Sequence, residues 1–149
     1  MGKRNPQIAF PVFYIYLSVS VGGASILAIE ILGTRVLGPF YGVSLYLWSA
    51  LITITLAALS LGYAIGGYIA DRRPTLSGLG ICLASSGLWL LIIPVFKYSI
   101  LKIVEPLGLR LAVLLGGFLL FFPPLMALGM VSPYAIKLKT KTLGELGRS

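Results

Sequence analysis

Four long stretches of the chain are apolar on every face, and short polar intervals separate them. A helix that crosses a bilayer needs about 20 predominantly apolar residues, within a range of about 17–25. The first stretch covers about 10–32 and carries one charge, Glu30, near its end. A secretory signal has an apolar region of only about 7–15 residues, so this stretch is read as part of the mature protein. The second covers about 44–70 and meets no charge until Asp71; the third and fourth cover about 76–96 and 111–136. The pattern predicts an all-α, polytopic membrane protein with four transmembrane helices in one domain.

The intervals refine this plan. Gly, Pro and a charge in GTRVLGPFYGV, residues 33–43, predict a loop after the first helix. ADRRPT, residues 70–75, predicts a tight polar turn. Residues 97–110 are more polar, yet Ile100, Leu101, Val104 and Leu107 keep a helical spacing. That pattern predicts a short amphipathic segment lying at the membrane interface between helices three and four. Pro123 and Pro124 predict a kink in the fourth helix, because each removes a donor and crowds the preceding turn. The last residues, 137–149, read as a polar, fraying tail.

Charge orients the helices. Lys3, Arg4, Arg72, Arg73, Lys137, Lys139, Lys141 and Arg148 fall on one side, and Arg35, Lys97, Lys102 and Arg110 on the other. The richer side is expected to be cytoplasmic, which puts both termini inside and the amphipathic segment outside. The net charge of +8 is thereby assigned to topology and anionic lipid, with no nucleic-acid partner. Of the 149 residues, 58% are hydrophobic and 11% charged. Soluble domains carry about 25% charged residues, so the bilayer is the expected first partner.

Chemistry-bearing residues are sparse. The chain has no His and one Cys, Cys82, within an apolar run. Metal, haem and Fe–S sites draw on clusters of such ligands, so neither a metal nor a cofactor is expected. There is no nucleophile–base set, no paired carboxylate and no nucleotide fingerprint, so no catalytic residue is assigned and the chain is read as not an enzyme. Glu30 is the one acid inside a span. It pairs with Arg35 across the helix end, or it is a cation or proton site within the bundle. Asp71 and Arg72 close the second turn and are expected to tie helix ends together. Mid-span Tyr63 and Trp89 each need a hydrogen-bond partner or a neighbouring subunit.

Lipid supplies no hydrophobic force between helices, so small residues must allow close packing. Gly22, Gly62, Gly66 and Gly80 occupy small-x-x-x-small positions expected to pack within the chain, with oligomer or partner contacts as the alternative. The ends of helices two and four, LGYAIGGYIADRR and LGMVSPYAIKLKT, are alike, compatible with two related hairpins.

Three stretches carry a family resemblance: Ala28 to Gly42 (AIEILGTRVLGPFYG), Leu59 to Arg72 (LSLGYAIGGYIADR) and Leu128 to Tyr134 (LGMVSPY). In this order they resemble the membrane portion of the spermidine-synthase-like fused membrane proteins of bacteria and archaea. Gly-Gly-x-x-Ala-Asp-Arg is also similar to the loop after the second helix of major-facilitator transporters. Family members usually continue into further helices and a Rossmann-like aminopropyltransferase domain, whereas this chain stops at Ser149. The resemblance implies a module of a prokaryotic cytoplasmic membrane without the enzyme. The expected role is a non-catalytic subunit or anchor that packs against other membrane subunits or copies of itself, or recruits a soluble partner at Arg72, Arg73 and the basic tail. The alternative is an oligomeric, transporter-like module for a small cation such as a polyamine.

Overall fold

In the computed structural model residues 6–72 and 75–146 are described, with side chains over 13–72 and 75–140. Lys3, Arg4, Arg73 and Arg148, part of the expected cytoplasmic charge, lie outside the described residues. The described chain is helical: α1 Pro6–Tyr41, α2 Leu45–Arg72, α3 Leu76–Val104 and α4 Leu109–Leu146, with a 3₁₀ turn at Glu105–Leu107. Each long helix holds a stretch long and apolar enough to cross a membrane: Phe13–Tyr41, Leu45–Arg72, Leu76–Leu107 and Leu109–Thr140.

Beyond the tail, where residues 137–146 prolong α4 as helix and form no separate frayed segment, two sequence expectations are corrected. Residues 33–43 do not form a loop, since α1 runs through Gly33, Gly38 and Pro39 to Tyr41. Without water to replace intrahelical hydrogen bonds, Gly and Pro lose much of their helix-breaking power. Gly33 serves packing instead, because a Cβ there would lie 3.1 Å from the Leu51 side chain of α2. The stop is Gly42, whose φ of 75° suits glycine and whose N–H donates to the Gly38 carbonyl at 2.8 Å. Ser44 then caps α2, its hydroxyl accepting from the Leu47 N–H at 3.3 Å.

The second correction concerns 97–110. These residues form no separate interfacial segment, because α3 continues to Val104 and only the 3₁₀ turn and Gly108, at φ 85°, precede α4. The helical spacing of Leu101 and Val104 prolongs the core face of α3. Both are buried, and a Cβ on Gly116 of α4 would lie 2.8 Å from Leu101 Cδ2 and 3.6 Å from Val104 Cγ2.

Helix α4 is the centre of the bundle. Half of its most apolar window is buried (50%), against 39% for α2 and 17% for α1 and α3. It packs against all three other helices, whereas the backbones of α2 and α3 nowhere come close to each other. Near its middle α4 meets α2 backbone to backbone. A Cβ on Gly66 would lie 2.6 Å from Met130 Cα, and one on Gly129 would lie 3.2 Å from the Leu59 Cα and carbonyl oxygen. This crossing leaves no room for side chains, so the apolar core divides. One cluster gathers around Leu37, Leu47, Leu51, Val113, Leu120 and Leu125, the other around Ile15, Leu79, Val131, Tyr134 and Leu138.

Several hydroxyls in the spans are satisfied by their own helix, as Ser49 donates to the Leu45 carbonyl and Thr53 to that of Ser49. Ser86 differs. It is 1% exposed, and its Oγ has no hydrogen-bond partner. A buried hydroxyl without a partner costs about 1–3 kcal/mol. Ser86→Ala is therefore expected to raise stability by about 1 kcal/mol, read as a higher unfolding midpoint in detergent micelles. A lower midpoint would show that Ser86 Oγ is hydrogen-bonded in the folded protein.

Candidate functional site

Because α2 and α3 dock on α4 from either flank with their backbones apart, an apolar groove of about 720 Å³ opens between them. Its floor is Pro123, Met126, Ala127 and Met130 of α4. Gly66 and Ile69 of α2 form one wall, and Gly78, Ile81, Cys82 and Ser85 of α3 the other. Trp89 and Tyr134 line it as well.

Two contacts fix α3 at this distance. At one, the Tyr134 ring lies over Gly78, where any added Cβ would collide with the phenol oxygen. At the other, Trp89 Nε1–H donates to the carbonyl of Leu120 at 3.1 Å. That carbonyl needs an outside donor for a reason visible in the chain. Its helical partner would be the N–H of residue 124, which is proline and has none. Helix α4 nevertheless continues through Pro123, Pro124 and Pro133. The partner that the sequence required for Trp89 is thus a proline-released carbonyl in the same chain. Tyr63 is 47% exposed, and its hydroxyl makes no hydrogen bond among the described residues.

The residues singled out in the sequence are dispersed. Glu30 is half-buried on α1, on the face of the fully buried Leu37 two turns on, and it does not line the groove. Arg35 is exposed and forms no ion pair with Glu30, because five residues on a helix turn the two side chains about 140° apart. Asp71 reaches across to α4, where it pairs with Lys137 at 2.5 Å. Arg72 lies over the Tyr68 ring at 4.4 Å. At the same end Lys139 Nζ donates to the Tyr16 hydroxyl at 2.7 Å. Gly62 and Gly66 face the α4 backbone, and Gly22 faces Val131 of α4 at 3.6 Å. Gly80 faces nothing within 4 Å.

The two similar sequences, around Gly62–Arg72 and Gly129–Thr140, prove to lie against each other. Gly66 meets Met130, and Asp71 meets Lys137. The groove itself had no signature in the sequence beyond the mid-span Trp89. Its lining is mostly apolar and holds no acid and no base, so it suits an apolar segment and not a charged solute. No family model, curated protein or solved structure matches the chain.

Proposed function

We propose that the chain is a non-catalytic membrane subunit whose groove between α2 and α3 receives a transmembrane helix of a partner protein within a larger membrane complex. The carrying observation is that α2 and α3 flank α4 with their backbones apart, which leaves the largest of the described grooves open on the α4 surface. Ala127 in the floor keeps the surface low there, as close approach of a second backbone requires. A fluid acyl chain has no such requirement. The Tyr63 hydroxyl, without a partner among the described residues, is available to a neighbouring helix. The resemblance to membrane portions of larger fused proteins supports the same reading.

The proposed setting is a prokaryotic cytoplasmic membrane. Both termini would lie inside, with Arg72, Lys137 and Lys139 on the cytoplasmic side and Lys97, Lys102 and Arg110 outside. The transporter-like alternative draws no support from the groove, because Glu30 does not line it.

Cys82, the single cysteine, reports on the groove directly. In native membranes it is expected to be shielded from thiol reagents and to cross-link to an apolar, span-length segment of one partner, while detergent-purified chain labels freely. Equal labelling in both settings, or a cross-link to lipid alone, would overturn the proposal.

A further inference from the structure

At the end of the bundle opposite the Asp71–Lys137 pair, two helices converge on a second and smaller pocket of about 280 Å³. Phe40 and Tyr41 are the last residues of α1, Tyr98 and Lys102 come from the final turns of α3, and Glu105 opens the 3₁₀ turn. The Phe40 and Tyr98 rings meet at 5.6 Å and 74°, which makes a corner of two aromatic walls. Tyr41 adds a third ring, 6.4 Å from Phe40 and tilted by 47°. It is held in place by its hydroxyl, which donates to the Leu101 carbonyl at 3.4 Å.

Two charges of opposite sign complete the lining. Lys102 and Glu105 are three residues apart and both exposed, yet they form no ion pair with each other. Aromatic and basic residues near helix ends ordinarily form a diffuse interfacial belt, each side chain turned outward by itself. Here three rings, one carboxylate and one ammonium group share a single cavity. Ring faces and a carboxylate attract an organic cation, and a lysine beside them attracts a phosphate.

We propose that this pocket binds the head group of a zwitterionic aminophospholipid at the membrane surface. The primary ammonium lies against the Phe40, Tyr41 and Tyr98 rings and donates to Glu105, and the phosphate lies on Lys102. The volume is just below the range of about 300–1,000 Å³ for sites that enclose drug-sized ligands, which fits a head group whose acyl chains remain in the bilayer. A primary ammonium is favoured over a quaternary one because only the former donates hydrogen bonds to the carboxylate. The site is independent of the groove between α2 and α3 and of whatever fills it.

The test is native mass spectrometry of the full chain in mild detergent with equal amounts of phosphatidylethanolamine, phosphatidylcholine and phosphatidylglycerol. Phosphatidylethanolamine should be retained about fivefold over the other two. Glu105→Gln should reduce its retention to that of phosphatidylcholine, Lys102→Ala should weaken both zwitterionic lipids, and Tyr98→Ala should weaken phosphatidylethanolamine. Tyr68→Ala, an exposed aromatic change at the other end, should alter nothing. Soluble phosphoethanolamine should compete, which separates head-group recognition from acyl-chain binding. Equal retention of all three lipids would overturn the proposal, as would a preference that survives Glu105→Gln and Lys102→Ala combined. Strongest retention of phosphatidylglycerol, lost with Lys102→Ala, would also overturn it and leave a simple basic anchor.

Discussion

Gly66→Ala should destabilise the folded chain by about 3 kcal/mol or more, although it adds one methyl group. The new Cβ would lie 2.6 Å from Met130 Cα, so the obstacle is backbone and not the end of a flexible side chain. Relief requires α2 to move off α4, and these two helices build the main interface of the bundle. Gly62→Ala should behave alike, since its Cβ would strike the Met126 carbonyl oxygen. The matched controls are Gly80→Ala and Gly23→Ala, where nothing lies within 4 Å of the added atom. In these the sign should reverse, because alanine is favoured over glycine inside a helix by about 1 kcal/mol. Unfolding midpoints in detergent measure all four. Equal behaviour of Gly66→Ala and Gly80→Ala would show that α2 and α4 do not meet at backbone distance.

Trp89→Phe should cost about 1–3 kcal/mol, because it leaves the Leu120 carbonyl without a donor inside an apolar environment. The informative variant is the double one. Pro124→Ala restores an N–H at the helical position, so the indole donor becomes redundant. Trp89→Phe should then be nearly neutral in the Pro124→Ala background, a coupling that the loss of ring packing alone does not produce. If Trp89→Phe costs the same in both backgrounds, the hydrogen bond contributes nothing to stability.

These two predictions rest on information of different kinds. That Leu120 loses its helical donor is legible from Pro124 alone, because a proline always frees the carbonyl four residues before it. That Trp89 supplies the replacement is not legible, since residues 31 positions apart meet only once α3 has docked on α4. The glycines show the same division. Small-residue spacing marks Gly62, Gly66 and Gly80 alike, yet two touch the α4 backbone and the third is open. Spacing states what a helix surface permits, and only docking states which neighbour uses it. Residues 33–43 have the composition of a loop only where water readily replaces a broken helical bond, and in the bilayer the same Gly and Pro stay within a helix. For 97–110 the spacing was helical, but the face of Leu101 and Val104 belonged to the core and not to the membrane surface.

By itself the sequence determined that the chain forms four long helices with the composition of membrane spans. Hydrocarbon leaves an apolar segment of that length no other way to satisfy its backbone, so pattern suffices. Only the tertiary structure decided that α4 is central, that α2 and α3 stand apart across a groove, and that Phe40, Tyr41, Tyr98, Lys102 and Glu105 share one pocket. Every helix here is apolar on all faces, so none announces which side it buries. Close packing of particular surfaces makes that choice, and it brings together residues that no local pattern connects.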